Sequence, residues 1–362
     1  MSKIDVNIKS EVDTLKKVLV HTPGVEMYLL NSHNTKEFHY DFDNKTFSEN
    51  EDFLLWDDTI YLPRAIKEHQ ELCRVINALS NQDTCVQFKD LFEEIIDPWE
   101  HKEVIANLLF TRDLAFSFGN TTVISWNSKS ARNQENILTM NLFKHHPSLK
   151  QNKLVSFHDE FPDLTIEGGD VMIFDSDTIL IGLSERTQKD SVEVLLPYFL
   201  SEGFSNVVGV SLPKKRAFMH LDTVLSKIDE HEYLIYDCDD KIDYFEFNKS
   251  NPKGKKLTSK NLTSLINELD DNANFFECAY NEQWTCGSNA LAVSPGKILL
   301  YERNELTIEN LVRKGGYKDY NPEEIINGDF DKNEKMVVMI NGSELSRGHG
   351  GARCMTMPLV RG

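Results

Sequence analysis

The sequence has no run of apolar residues approaching the roughly 18–20 that a membrane-crossing helix needs, so a helical membrane protein is excluded. Its opening residues, Met1-Ser2-Lys3-Ile4-Asp5, carry no apolar core of the kind that marks a secretory leader. Cysteine is sparse. Cys73, Cys85, Cys238, Cys278, Cys286 and Cys354 are scattered, with no Cys-x-x-Cys pair and no metal-ligand spacing. A disulfide scaffold or zinc site is therefore not expected, no motif calls for a metal or cofactor, and the pattern suits a reduced, cytoplasmic chain. Positive charge is also short. The 39 Lys and Arg residues face 58 Asp and Glu, a formal net charge of −19, which removes the basic footprint that general nucleic-acid binding requires. No low-complexity tract or linker-like stretch divides the 362 residues, so a single domain spanning 1–362 is expected.

What is present is an apolar periodicity that changes along the chain. Leu15-Lys16-Lys17-Val18-Leu19-Val20-His21 alternates as a strand, and Pro23-Gly24 stops it. Residues 31–60 are polar and irregular and read as a long loop. Ile66, Leu72, Val75, Ile76 and Leu79 recur at helical spacing behind Pro63, which predicts a helix over 64–80. From there one order returns four times: a turn with acidic or amide side chains, an apolar hairpin, a helix. The copies begin at Asn107–Asp113, Ile166–Asp170, Met219–Asp222 and Cys286–Asn289, and their helices are expected near 131–145, 188–202, 259–269 and 306–313. The charged stretch 237–257 reads as a surface hairpin or loop. The opening strand and the 64–80 helix make a fifth unit if the C-terminal tail supplies the missing strands. Repeats of roughly this length build rings or arrays, because one unit cannot bury its apolar faces alone. Closure of the chain by its two ends would bring all five turns to one central mouth.

The tail Ser346-Arg347-Gly348-His349-Gly350-Gly351-Ala352-Arg353-Cys354 leads into that closure. Taken alone it reads equally well as a glycine-rich turn before a terminal strand, with an inert buried cysteine. If the turns converge, Asp113, Glu167, Asp170, His220, Asp222 and Cys354 gather at one place. Each has a plain alternative: Asp113 and Asp170 as turn residues, His220 as a satisfied core histidine. Their matching positions in successive units weigh against those alternatives. A cysteine with a histidine suggests covalent catalysis with acid–base help. Several carboxylates would repel the oxyanion of peptide cleavage, but they suit a delocalised cation such as guanidinium. They would also raise the thiol pKa in the empty site, and a bound cation would reverse the effect.

With these residues in hand, the chain resembles the arginine deiminases of the guanidine-modifying (pentein) superfamily. The resemblance rests on Phe110-Thr111-Arg112-Asp113 after Asn107, Arg132-Asn133-Gln134-Glu135, Glu167-Gly168-Gly169-Asp170, Gly182-Leu183-Ser184-Glu185-Arg186-Thr187, Met219-His220-Leu221-Asp222-Thr223 and the tail around Cys354. It implies an α/β fold, a five-bladed pseudo-symmetric propeller of ββαβ-type units, and hydrolysis of free L-arginine to L-citrulline and ammonia without a cofactor. Cys354 would be the nucleophile and His220 the acid and base, with Glu167 beside it. Asp113 and Asp222 would bind the guanidinium. Arg132, Arg186 and Asn107 would hold the α-carboxylate, with Asp170 and His349 also among the substrate-binding residues. Two departures stand out. The family usually carries a sizeable helical insertion where this chain has only about 83–106; it is linked to assembly, so a homodimer stays an open expectation. The tail usually reads Arg-Gly-Arg-Gly-Gly, and His349 replaces the second arginine. A histidine titrates near pH 6.5, so His349 is expected to alter affinity or the pH profile. A deiminase of a related guanidino acid, an amidinotransferase and a catalytically silent arginine-binding protein remain the competing readings.

Overall fold

The helix expected behind Pro63 runs Leu62–Ser80 in the computed structural model, with Pro63 in its first turn and Asn81 closing it in the left-handed conformation (φ 55°). Its Leu62, Ala65, Leu72, Val75, Ile76 and Leu79 are buried. At about 1.5–3 kcal/mol for each fully buried large apolar side chain, this face holds the helix more than propensity does. The structure describes residues 3–29, 39–41, 46–48, 60–94, 105, 107–150, 152–237 and 241–362. The loop expected at 31–60 lies mostly outside these, apart from a short antiparallel pair, His39–Asp41 with Thr46–Ser48. Cys238 lies outside them too.

Five mixed sheets share one plan: an antiparallel pair, then a helix, then a strand that returns parallel to the second member of the pair. Ala115–Phe118 pairs with Thr121–Ile124, and Lys153–Ser156 returns after the helix Asn133–His145. Val171–Ile173 and Thr178–Leu183 are followed by the helix Lys189–Ser201 and the strand Asn206–Ser211. Leu225–Asp229 and Glu232–Ile235 precede the helix Leu262–Leu269 and the strand Asn274–Glu277. Leu291–Ser294 and Lys297–Tyr301 precede the helix Glu305–Gly315 and the strand Met336–Ile340. The fifth sheet joins the two ends of the chain. Leu15–Val20 pairs antiparallel with Met357–Arg361 and parallel with Cys85–Gln87, beyond the helix Leu62–Ser80.

The stretch expected as a surface hairpin is one, Ile242–Asn248 with Asn251–Ser259. It does not stand apart: Ile242–Asn248 pairs with Asn206–Ser211, so the hairpin widens the second sheet to five strands. Apolar alternation explains the attachment, since Ile242, Tyr244 and Phe247 are buried while the outer strand is largely exposed.

Each pair is entered by a tight turn, and these turns position the site. Thr111–Asp113, Gly168–Asp170 and Leu221–Thr223 are single 3-10 turns, and each packs on the next. Glycine permits the approach: a Cβ on Gly168 would lie 2.1 Å from the Arg112 carbonyl oxygen, and one on Gly169 would lie 2.7 Å from His220 Nδ1. Among the described residues, no helix is long and apolar enough to cross a membrane.

Candidate active site

Cys354 occupies the turn just ahead of Met357–Arg361, with 6% of its surface exposed. The fourth unit fixes it there. Asn289 Oδ1 accepts the backbone N–H groups of Arg353 (3.1 Å) and Cys354 (3.2 Å), while Asn289 Nδ2 donates to Cys354 Sγ (3.2 Å). Asp222 Oδ2 lies 3.7 Å from the sulfur and 2.9 Å from Arg353 Nη1. Arg353 in turn donates through Nε to Glu11 Oε1 at 2.9 Å. Burial foremost, and then the charges of Asp222 and Asp113, push the Cys354 thiol well above its ordinary range. The resting group is a thiol.

His220 and Glu167 come from successive units and meet at 2.8 Å, Nε2 to Oε2. The other imidazole nitrogen, Nδ1, lies 3.7 Å from Asp113 Oδ1. Burial opposes a charged imidazole here, but Asp113 and the Glu167 hydrogen bond outweigh it and move the His220 pKa upward. Burial likewise opposes ionised Glu167, and His220 with Arg186 outweighs it, moving that pKa downward. The pair therefore rests as imidazolium and carboxylate. The backbone N–H of Ser128 completes the hold on Glu167 at 2.9 Å.

The cavity over Cys354 is tight, about 30 Å³, with Asn107, Asp113, Arg132, Glu167, Arg186 and His220 in its wall and Arg216 and His349 at one side. Arg132 lines it, but its guanidinium is already committed: Nη1 to Asp113 Oδ2 (2.6 Å), Nε to Glu135 Oε2 (2.8 Å), and Nη2 to the carbonyls of Asn107 and Phe110. The expected carboxylate holder thus braces Asp113. Asp170 is not part of the wall. It accepts from Ser184 Oγ (2.7 Å) and from the Leu221 backbone N–H (2.9 Å), so it steadies the turn that carries His220. Burial raises its pKa to about 7.

His349 carries the left-handed backbone of the tail itself (φ 58°), whereas Gly348, Gly350 and Gly351 do not. Those glycines serve close packing instead: a Cβ on Gly350 would lie 2.3 Å from Phe110, and one on Gly351 2.6 Å from Asn289 Oδ1. The His349 ring packs tilted against Trp284 with centroids 4.2 Å apart, and burial with the neighbouring Arg216 lowers its pKa to about 3. It is neutral across the physiological range, so it brings no titration near pH 6.5.

Four residues had no role in the sequence reading: Asn289, Arg216, Arg353 and Glu11. Asn289 had a signal, an amide at the turn position that carries carboxylates in the other units. Glu11 and Arg353 are 342 positions apart and had none.

Several buried acceptors in this group have no hydrogen-bond partner among the described residues: Asp113 Oδ1, Asp222 Oδ1, Asn107 Oδ1 and His349 Nδ1. Buried acceptors are normally satisfied, so a cluster of them marks the place of a donor-rich ligand. The comparisons with known proteins agree with such a site. A family model described as arginine deiminase matches residues 103–361. The chain is also 30% identical to the arginine deiminase of Mycoplasma capricolum subsp. capricolum, over 98% of its own length and 97% of that protein's. The chain belongs to the arginine deiminase family. A second arginine deiminase, from Borreliella burgdorferi, is 30% identical over the same shares of the two chains. The alignment with the Mycoplasma arginine deiminase runs to 431 positions against 362 residues here, so that relative carries segments this chain lacks. Among solved structures, a dimethylarginine dimethylaminohydrolase superposes with a TM-score of 0.58 at 17% identity, covering 95% of this chain and all of that one. The N-terminal domain of ArgZ, an arginine dihydrolase of cyanobacteria, gives 0.58 at 15%, covering 96% and 98%. These two likenesses speak for an α/β fold with mixed sheets.

Proposed function

We propose that this protein hydrolyses free L-arginine to L-citrulline and ammonia, with the guanidinium seated between Asp113 and Asp222. The observation that carries the reading is the set of unpartnered buried acceptors around Cys354, which matches a planar group with five N–H donors and no acceptor.

A bound guanidinium supplies the charge that the resting thiol lacks. One positive charge ~4 Å from the sulfur is worth about 4 kcal/mol at an effective dielectric near 20, about a thousandfold in the thiol–thiolate balance. The thiol proton passes to solvent, and the Cys354 thiolate adds to the guanidinium carbon. The C–N bond to the terminal nitrogen breaks, His220 gives that nitrogen its proton, and ammonia leaves an S-alkylthiouronium on Cys354. Neutral His220 next takes a proton from water as its oxygen adds to the same carbon. Collapse breaks the C–S bond, and the departing sulfur takes the electron pair and the hydroxyl proton, which restores the resting thiol and releases the ureido product. Glu167 keeps the imidazole oriented through both halves. With Arg132 committed to Asp113, the α-carboxylate falls to Arg186 and Arg216 beside Asn107.

The finer architecture follows the same reading. The five sheets stand as five blades about one axis, forming a single catalytic domain over 1–362, and the enzyme works in the cytoplasm. The test is a panel of arginine, agmatine, canavanine, N-methylarginines and guanidino acids, followed by ammonia and ureido product, with Cys354→Ala as control. Citrulline from arginine is expected. Turnover of another guanidino acid in preference to arginine would reassign the substrate, and binding without turnover would leave only a receptor.

A further inference from the structure

A second, smaller cavity lies apart from the Cys354 pocket, between the N-terminal segment and the last strand. It holds about 20 Å³ and is walled by apolar side chains together with Glu11, Arg112, Ser117 and Arg361. Around it three guanidiniums are almost wholly buried: Arg112 (5% exposed), Arg353 (1%) and Arg361 (3%). The buried carboxylates that face them are Glu11 and Asp222.

Arg353 takes both of these carboxylates, at 2.9 Å each, and its Nη2 donates to the Val171 carbonyl. Arg361 donates to the carbonyls of Asp13 and Ala292. Arg112 donates through Nε to the Arg353 carbonyl, while its Nη2 is buried with no hydrogen-bond partner among the described residues. Neither Arg112 nor Arg361 has a carboxylate at ion-pair distance among those residues, and Asp13, near Arg361, is exposed. The cluster thus carries one positive charge more than its buried carboxylates neutralise. A guanidinium does not shed its proton inside a protein, and an unmatched buried charge is strongly unfavourable.

Size decides what can supply the counter-charge. A cavity needs about 10–15 Å³ to admit one water, so this one takes a single body of that order and excludes a phosphate or an organic carboxylate. We propose that the cavity binds one small monovalent anion of the halide class, chloride under ordinary conditions, against Arg112 Nη2 and the Arg361 guanidinium. The ion completes the charge balance of the Glu11–Arg353–Asp222 chain. It also anchors the nucleophile's own segment, because the Arg112 backbone N–H donates to the Cys354 carbonyl at 3.1 Å.

The test is anomalous diffraction from crystals of the full chain grown with bromide replacing chloride. An anomalous peak within about 3.5 Å of Arg112 Nη2 is expected, at ordinary hydrogen-bond range for a large anion, and it should vanish in Arg112→Met. A water-like site without anomalous signal, or a peak that survives Arg112→Met, overturns the proposal. A second measurement needs no variant. At fixed ionic strength, replacing gluconate by chloride should raise Tm by about 2 °C for each tenfold increase above the dissociation constant. Equal Tm in the two salts counts against the site.

Discussion

In the wall of the main cavity, Asp113, Glu167 and His220 each stand on a turn of a successive unit, and each is held by the others or by Arg132. The other polar wall residues, Asn107, Arg186, Arg216 and His349, come from dissimilar places, and one of them is a neutral ring where the family resemblance leads one to expect a cation. The first group is tied together by its own hydrogen bonds and ion pairs. The second takes its charge from Arg186 and Arg216. The contrast teaches that the repeated turns place the acidic group, while the rest of the wall is assembled residue by residue.

The largest effect should follow Cys354→Ala. With the sulfur gone no thiouronium can form, and citrulline production at saturating arginine should fall at least about 10⁴-fold. Measurable turnover at a hundredth of the normal rate would break the covalent account outright. Next comes Asp113→Asn, expected to lower kcat/KM about 10²–10³-fold by weakening guanidinium binding and transition-state charge stabilisation. The same change tests the charge of His220. Asp113 and Glu167 raise its folded pKa above its ordinary value, so its ionic contribution to stability is complete below that value and is lost as pH rises through the folded one. Removing the Asp113 charge should therefore move the alkaline limb of the kcat/KM profile to lower pH. A limb that stays in place would show that Asp113 does not govern the imidazole.

A smaller change is expected from Arg216→Met: KM for arginine up about tenfold, little change in kcat, and no change for agmatine, which lacks the carboxylate. Equal losses on both substrates would make Arg216 a packing residue only. The smallest effect belongs to His349→Asn, since asparagine also accepts a φ of 58°. Between its ordinary pKa of 6.5 and about 3 the unfolded chain binds a proton that folded His349 does not, so folding weakens as pH falls through that window. The variant should lose less Tm on acidification over this range and keep the shape of its rate profile between about pH 5 and 8. An inflection near 6.5 that disappears with His349 would overturn its neutrality.

Much of the fold could be read before the structure because apolar periodicity and turn chemistry repeat. Strand Leu15–Val20, helix Leu62–Ser80 and the helices of the four later units fall within a few residues of expectation. Asp113, Glu167 and His220 were legible for the same reason, since they recur at turns. What escaped is what only distance in space reveals. That Arg132 is spent on Asp113, and that Asp170 braces Leu221 without touching the cavity, depends on side-chain direction, which spacing does not encode. Asn289 had its turn position as a signal, but its grip on the Cys354 segment is a contact across 65 positions that spacing does not encode.

The pairing of Leu15–Val20 with Met357–Arg361 has a consequence for the order of events during synthesis. A chain made from its N-terminus exposes the first of these strands some 340 residues before its partner exists, so its apolar face must wait, protected or partly paired with Cys85–Gln87. Cys354 and the strand that seats it emerge together at the end of that interval. A nascent chain therefore lacks both this strand pairing and Cys354 until residues 354–361 have been made.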